Sequence, residues 1–195
     1  MFLIVTRNFP PDIGGIQSLM GGLSENLVNH GPVKVFTYEY ENSQDYDNKS
    51  SLNIERIKGI KLFRKFRKAN LVNNFISQNS NIRAIFFDHW KSLEIIKLEH
   101  LKKIKTFCLL HSKEINHDIG TSTNKRIISS TNNADFIIAN SNFTKNLVVK
   151  LGFKNKNVKV INPGCNYPIQ VTNESKKFAK TIYADAFPKL ITISR

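Results

Sequence analysis

Four loops in this sequence carry residues that could bind a ligand or exchange a proton. Each follows a short apolar run, and together they contain Gly14 and Gly15, Asp88 and His89, His111, and Asn140 and Ser141. Glycines let backbone N–H groups approach an anionic or sugar ligand closely, and an imidazole can exchange a proton near neutral pH. Any one of these loops could be an ordinary connection. Because the carboxyl ends of parallel strands lie at one edge of a sheet, the four together favour a ligand site at that edge.

The elements that would position these loops alternate along the chain. The continuous apolar run of residues 1–5 is typical of a strand buried on both faces, and apolar residues at three-to-four spacing after Ile16 predict a helix that ends near residue 30. Further strands are expected at 33–38, 54–60 (an edge strand), 82–87, 106–110, 136–139 and 158–161, and helices at 62–76, 93–101, 123–133 and 143–151. This alternation predicts an α/β fold, a Rossmann-like parallel sheet with helices on both faces. Residues 39–51 are rich in Asn, Ser, Asp and Gln, and we expect a mobile loop there.

Positive charge is concentrated in the middle of the chain. The net charge is +14, and residues 53–160 carry twenty-one Lys or Arg against seven Asp or Glu. The helix expected at 62–76 has an apolar face made by Leu62, Phe66, Ala69, Val72, Phe75 and Ile76. Its cationic face is made by Lys61, Arg64, Lys65, Arg67 and Lys68.

That cationic face has three interpretations. It could lie on anionic lipid headgroups, where each cation contributes about 1 kcal/mol. It could bind the phosphates of a nucleic acid, or it could simply be solvated. The chain has no nucleic-acid-binding motif, so we expect no nucleic-acid partner, and the membrane surface and the solvated face both stay open.

Several classes of protein and of site are excluded by what the sequence lacks. No run of eighteen apolar residues predicts a membrane span, and no basic leader with a cleavage site precedes the first strand. The G-x-G-x-x-G fingerprint, the P-loop and the G-x-S-x-G elbow do not occur. Metal-ligating residue types cluster at His111, Glu114, His117 and Asp118. The two histidines are six positions apart, which suits neither a helical pair nor a zinc finger, so we expect no metal. Two cysteines without metal spacing suit a reducing compartment, and we expect a cytoplasmic protein.

Several stretches, in order along the chain, resemble those of one enzyme family. Residues 9–17 resemble an opening P-P-x-x-G-G loop, and residues 110–114 a strand-end histidine segment. Residues 134–144 are similar to an A-D-x-I-I-x-x-S segment, and residues 158–164 to a V-x-V-I-P-N-G turn in which Asn162 and Pro163 stand in reversed order. Residues 188–195 resemble the first strand of a second domain. The ordered set resembles the N-terminal half of a group 1 glycosyltransferase, a retaining nucleotide-sugar enzyme of GT-B fold.

The resemblance implies transfer of a sugar from a nucleotide-diphosphate sugar to a hydroxyl acceptor, with retention at the anomeric carbon. The acceptor would be a glycan or be lipid-linked, as in the synthesis of cell-envelope polysaccharide or lipopolysaccharide, and no cofactor is expected. By the same resemblance His111 is the catalytic residue, which positions the reacting sugar. Donor and acceptor binding would involve Gly14, Gly15, Gln17, Glu114, Ser141 and Arg195. Backbone N–H dipoles of the glycine pair and the charge of Arg195 would stabilise the diphosphate leaving group without a metal.

The resemblance also divides the chain. Residues 1–165 would be the acceptor-side domain, and residues 166–195 the interdomain crossing and first strand of an otherwise missing C-terminal donor-binding domain. The family's two donor-side glutamates, eight positions apart, have no counterpart in this sequence. We therefore expect a truncated, acceptor-binding half that is inactive alone, and that is peripheral on the inner face of the plasma membrane if the basic helix binds lipid. Two alternatives stay open: a non-catalytic GT-B half-domain or subunit of a split transferase, and a basic nucleic-acid-binding α/β protein.

Overall fold

Within residues 1–152, 157–164, 170–183 and 187, which the computed structural model describes, seven strands form one sheet. They are β1 (Phe2–Val5), β2 (Val33–Tyr38), β3 (Asn53–Ile57), β4 (Ala84–Phe87), β5 (Lys105–Leu110), β6 (Phe136–Ala139) and β7 (Asn157–Val160). The strands lie in the order β3-β2-β1-β4-β5-β6-β7. Every neighbouring pair is parallel. The predicted Rossmann-like parallel sheet is confirmed, and β3 lies at an edge as its sequence predicts.

Helices connect the strands and cover both faces of the sheet. They are α1 (Gly15–Val28), α2 (Ser43–Lys49), α3 (Lys61–Gln78), α4 (Trp90–Leu93), α5 (Leu98–Leu101), α6 (Ser122–Thr131), α7 (Asn142–Lys150) and α8 (Asn173–Tyr183). Side chains alternate between faces along a strand, so β1 serves two cores. Leu3 and Val5 pack in the core that holds Val72 of α3, whereas Ile4 packs in the core that holds Met20 of α1. The prediction of helices on both faces is therefore confirmed.

Helix α1 begins in the glycine loop and packs closely on the loop that precedes it. A Cβ atom at Gly21 would lie 2.9 Å from Cγ of Pro10, so a small residue is needed for this approach. The helix ends at Val28, and three residues later Gly31 adopts a φ of 143°, a conformation that side-chain-bearing residues rarely take. Glycines thus lie at the start of α1 and in the turn just beyond its end.

The expectation of a loop throughout 39–51 is wrong, because residues 43–49 form α2. The mobility of this segment stays a prediction. Two tertiary contacts hold this short helix. The guanidinium of Arg56, on β3, lies 2.7 Å from the Asp47 carboxylate, and the ring of Tyr46 packs edge-on against that of buried Phe9. Local helix propensity could not indicate these contacts, because the partner residues Arg56 and Phe9 both lie outside residues 39–51.

The continuous helix expected at 93–101 is also wrong, because the chain forms two short turns, α4 and α5, with a break between them. The side chain of Asn73, on α3, occupies that break. Its Nδ2 donates to the carbonyl of Ile95 at 2.9 Å, and its Oδ1 accepts from the backbone N–H of Lys97 at 2.9 Å. One amide side chain thus replaces the backbone partners that a continuous helix would have supplied.

The chain divides into two compact units, Met1–Pro163 and Gly164–Arg195. In the second unit no residue of α8 is buried, and the hydroxyl of Thr172 accepts from the backbone N–H of Ser175 at the start of the helix. The strand expected near residue 190 lies outside the described residues. The assignment of residues 166–195 to a donor-binding domain stays a prediction. Among the described residues no helix is long and apolar enough to cross a membrane.

Candidate functional site

The carboxyl edge of the sheet brings together the loops that carry the candidate residues. Because the strands are all parallel, the segments that follow β1, β4, β5 and β6 leave the sheet at this one edge. In chain order these segments hold Gly14 and Gly15, Asp88 and His89, His111, and Asn140 and Ser141. Open α/β sheets bind their ligands at this edge.

Asp88 is the centre of the hydrogen-bond network at this edge. Its carboxylate is buried and accepts from the backbone N–H of Arg7 and from the hydroxyl of Ser92, both at 2.8 Å. Its backbone carbonyl accepts from Nε2 of His111 at 3.0 Å. Asp88 therefore fixes the ends of β1, β4 and β5 relative to one another.

His111 is held at both its backbone and its ring. Its backbone N–H donates to the Glu114 carboxylate, and its ring bonds to the Asp88 carbonyl. A carbonyl can only accept, so in this arrangement Nε2 carries the proton and Nδ1 of the neutral ring is an acceptor. The next residue, Ser112, has a φ of 77°, a left-handed conformation that is costly for serine and that often marks a functional loop. The structure therefore presents His111 in one defined orientation.

Lys68 does not belong to the cationic face of α3, where the sequence analysis placed it. Its side chain is buried, with 1% exposed, and its Nζ donates to the carbonyl of Thr6 at 2.8 Å and lies 4.3 Å from the centre of the Tyr38 ring. Burial lowers the pKa of Lys68 to about 8, although the nearby Asp88 charge partly opposes this. A signal for this placement was available: Lys68 precedes the core residue Val72 by one helical turn, so both must face the sheet.

His89 lies in the same loop as Asp88, and the sequence pattern predicted its place at this edge but no role for it. Its Nδ1 accepts from the backbone N–H of Lys91 at 2.9 Å and so caps α4. Burial, followed by the nearby positive charge of Arg7, lowers the pKa of His89 to about 3. His89 is therefore neutral at physiological pH, and its Nε2 carries the ring proton. Of the two histidines at this edge, His89 caps α4, and His111 stays the candidate catalytic residue.

Gly14, Gly15 and Gln17 form a separate group at the start of α1. The side-chain amide of Gln17 donates to the Asp12 carboxylate. This amide lies so close to Gly14 that a Cβ atom there would collide with it, whereas a Cβ at Gly15 would enter open space. The N–H groups of the first turn of a helix have no partners within the helix and point away from its start. The start of α1 thus offers backbone donors of the kind that bind anions.

Ser141 and Glu114 both have structural bonds in addition to their candidate roles. The Ser141 hydroxyl caps α7 by accepting from the backbone N–H of Thr144 at 3.2 Å. One carboxylate oxygen of Glu114 accepts from the His111 backbone N–H. The backbone carbonyl of Glu114 accepts from the indole N–H of Trp90 at 3.0 Å. The assignment of these two residues to donor or acceptor binding stays a prediction, as does that of Arg195, which lies outside the described residues.

Neither a metal site nor a closed pocket identifies the ligand. Among the residues that the structure describes, no three His, Cys, Asp or Glu side chains cluster in a way that would hold a metal ion, and a metal-free reaction stays a prediction. An open cavity of about 270 Å³ lies before β5 and β6, at the amino edge of the sheet. It is lined by Leu98, Leu101, Lys102, Asn132, Asn133, Ala134 and Asp135. Ligands of open α/β sheets bind at the opposite edge, so we do not place the site in this cavity.

The parallel sheet with helices on both faces matches the fold of one half of GT-B glycosyltransferases. The structure of HepE (Alr3699) from Anabaena with UDP-glucose matches with a TM-score of 0.67 at 14% identity, over 96% of this chain and 51% of that chain. A glycosyltransferase from Rickettsia africae ESF-5 matches with a TM-score of 0.63 at 14% identity, over 96% and 50%. The lipopolysaccharide outer core galactosyltransferase WaaB matches with a TM-score of 0.58 at 12% identity, over 89% and 47%. At these identities the matches show a common fold, and this chain spans about half the length of those structures.

The sequence identifies the family more narrowly. Residues 13–167 match the profile of Glycosyltransferase Family 4, and the chain belongs to this family. None of the curated proteins compared with it matches. The resemblance to a glycosyltransferase of GT-B fold is thereby confirmed, and the matched residues include the glycine pair, His111, Glu114 and Ser141.

Proposed function

We propose that this chain forms the acceptor side of an enzyme that transfers a sugar from a nucleotide-diphosphate sugar to a hydroxyl group. Membership of Glycosyltransferase Family 4 supports sugar transfer, and the UDP-glucose in the structure of Anabaena HepE supports a nucleotide-sugar donor. The observation that carries the proposal is the fixed orientation of His111 at the carboxyl edge, where its ring is bonded to Asp88 and its backbone to Glu114.

In this reaction the bond from the anomeric carbon to the diphosphate breaks, and a bond to the acceptor oxygen forms. The acceptor hydroxyl gives its proton to solvent water, and the diphosphate leaves with one more negative charge. We assign two tasks to the described residues. His111 accepts a hydrogen bond from a sugar hydroxyl through Nδ1 and so orients the reacting ring. The backbone N–H groups at Gly14 and Gly15 stabilise the developing charge, as donors at a helix start are placed to do.

Retention at the anomeric carbon and the acceptor class are further parts of the proposal. We assign transfer with retention to a glycan or lipid-linked acceptor of the cell-envelope polysaccharide or lipopolysaccharide type, in the cytoplasm and without a metal. The fold match to a lipopolysaccharide galactosyltransferase is consistent with this acceptor class. Arg195 and a donor-binding half would complete the diphosphate site, and we expect the 195-residue chain alone to bind sugars without turning them over.

Saturation-transfer NMR on the purified chain tests the binding step. UDP-glucose is the probe, with UDP as the control for contacts that the nucleotide makes alone. We expect saturation to reach the glucose ring protons, and the His111→Ala variant to lose that transfer while its melting temperature stays within a few degrees of the wild-type value. Saturation of the glucose protons that is unchanged in His111→Ala would contradict the role of His111. Absence of saturation in both proteins would contradict nucleotide-sugar binding by this chain.

A transfer assay with radiolabelled nucleotide sugars tests the division of labour. We expect no label to reach a lipid-linked or glycan acceptor when the purified chain is the only protein present. Label transfer under those conditions would show that the chain is a complete enzyme and would overturn its assignment to the acceptor side.

A further inference from the structure

The first turns of α3 expose large apolar side chains, of which Leu62 and Phe66 belong to the apolar face predicted from the sequence. Ile60, just before the helix, is 70% exposed, Leu62 75%, Phe63 52% and Phe66 65%. We call residues 60–67 the α3 leading surface. Scattered exposed apolar residues are ordinary in proteins, but four large ones in seven consecutive positions form a patch.

The arrangement of this patch on the helix is that of an interfacial helix. At about 100° per residue, Leu62, Phe66 and Phe63 span about 100° of the helix circumference. Lys65 and Arg67 flank this apolar stripe on its two sides. Val72, which packs in the core, lies about 130° around the helix from the middle of the stripe. An apolar stripe between two rows of cations can insert into the headgroup region while the cations reach the phosphates.

Two arginines of α3 donate hydrogen bonds to the turn that precedes the α3 leading surface. Nε of Arg64 donates to the carbonyl of Gly59 at 2.9 Å, and a terminal nitrogen of Arg67 donates to the carbonyl of Ile60 at 3.1 Å. Both guanidinium groups bind neutral carbonyls, so their positive charges are not neutralised there. The apolar side chains are thus presented by an ordered turn, which lowers the entropic cost of binding.

The charge of this surface identifies the partner that it fits. Residues 58–68 contain six Lys or Arg and no Asp or Glu. Two of these cations are paired with carboxylates from elsewhere, Lys58 with Glu39 and Lys65 with Glu94, and Lys68 is buried. A second copy of the chain would bring like charges together at the patch. An anionic bilayer supplies both an apolar layer for the stripe and phosphates for the cations.

The α3 leading surface also lies at the functional edge. Helix α3 follows β3 and leads into β4, which run parallel, so the helix starts at the carboxyl edge of the sheet. Lys68, which bonds to Thr6 within the candidate site, is six residues after Leu62, or about 9 Å along the helix axis. One helix therefore carries both the exposed apolar stripe and a residue of the site.

We infer that the α3 leading surface docks this protein on a bilayer that contains anionic lipid, with Leu62, Phe63 and Phe66 inserted among the headgroups. Docking in this way holds the carboxyl edge of the sheet at the lipid surface, where it would meet a hydroxyl acceptor carried by a lipid. The acceptor part of this inference rests on the proposed sugar transfer, whereas the docking itself does not.

Vesicle cosedimentation of the full chain tests the docking, with vesicles of phosphatidylcholine alone or with phosphatidylglycerol added. We compare the wild type with the triple variant Leu62→Ser, Phe63→Ser and Phe66→Ser. The matched control is Ile119→Ser, Phe143→Ser and Val149→Ser, three exposed apolar positions outside α3. We expect binding to the anionic vesicles only, weakened about tenfold or more by the α3 variant and unchanged by the control. Equal weakening by both variants, or wild-type binding only to a nucleic acid or to another copy of the chain, would overturn the inference.

A tryptophan placed in the stripe reports insertion directly. In Phe63→Trp we expect a blue shift of the emission with anionic vesicles and quenching by brominated lipid, and in Phe143→Trp neither change. The native Trp90 is buried and supplies the same background in both proteins. Quenching that is equal at both positions, or absent at position 63, would contradict docking through α3. Neither experiment contains a nucleotide sugar, so a failure here is distinct from a failure of the proposed sugar transfer.

Discussion

The backbone carbonyl of Asp88 orients the His111 ring, and the carboxylate of Asp88 holds Asp88 itself in place. The carbonyl of Asp88 accepts from the His111 ring, while the carboxylate is bound by the Arg7 backbone and the Ser92 hydroxyl. The orientation of His111 therefore depends on where β4 ends. A group held by the ends of strands is held more rigidly than one on a free loop, which is what positioning of a sugar requires.

Substitution of Gly14 tests whether the start of α1 binds the nucleotide sugar. In Gly14→Ala the new methyl group must displace the Gln17 amide from Asp12. Because Gln17 is a flexible side chain, we expect little change in stability. We expect an affinity for UDP-glucose lower by about tenfold, the loss of one good hydrogen bond to a charged group. Isothermal titration calorimetry measures the affinity. Gly22→Ala in the same helix, where a Cβ meets no atom within 4 Å, is the control and should bind normally.

Burial of Lys68 predicts a pH dependence of stability with a definite sign. The pKa of Lys68 is about 8 in the folded protein, below its ordinary value of 10.5. Between these two values the unfolded chain binds the extra proton, so the free energy of unfolding rises with pH from about 8 to 10.5. The contribution of this one group is on the order of 3 kcal/mol.

The measurement is urea denaturation from pH 7.5 to 10.5 for the wild type and for Lys68→Met, which keeps the length of the side chain. The difference between the two curves isolates Lys68 from the tyrosines that titrate nearby. We expect the wild type to gain stability relative to the variant as the pH rises. Parallel curves would mean that Lys68 keeps its ordinary pKa and is not desolvated in solution.

At the scale of elements, the local sequence pattern predicted those helices and strands that are determined by their own residues. Strand β2 and the start of α1 follow from apolar periodicity and from glycine placement. Helix α2 and the break before α5 could not be predicted, because Arg56 and Asn73 hold them from distant parts of the chain. The same limit explains the wrong placement of Lys68. A lysine is expected to be exposed, and only its position one helical turn before Val72 on α3 indicated that it is buried.

Asn73 offers a quantitative test of such a tertiary contact. In Asn73→Ala the buried carbonyl of Ile95 and the partly buried N–H of Lys97 lose their partner. We expect a loss of about 1–3 kcal/mol in the free energy of unfolding, the cost of leaving buried polar groups unpaired. Asn74→Ala, one position further on and exposed, is the control and should be neutral or slightly stabilising. Equal effects of the two substitutions in urea denaturation would show that the bonds of Asn73 contribute nothing.

At the scale of the whole molecule, family and fold were predictable from sequence, whereas the arrangement of the site was only partly so. The order of the motifs indicated a glycosyltransferase of GT-B fold, and the family match and the parallel sheet confirm it. The sequence could also place His111 and Asp88 at one sheet edge, since strand ends in a parallel sheet must meet there. It could not show that the Asp88 backbone binds the His111 ring, because that bond depends on the relative register of β4 and β5.

The location of the bound nucleotide sugar tests the central claim most directly. Backbone amide shifts of the isotopically labelled chain, recorded by NMR during a titration with UDP-glucose, report where the ligand binds. We expect the largest shifts at Gly14, Gly15 and His111, at the carboxyl edge, and none at Asp135, beside the cavity at the amino edge. Shifts centred on Asp135, with Gly14 and His111 unmoved, would contradict the assignment of the functional site.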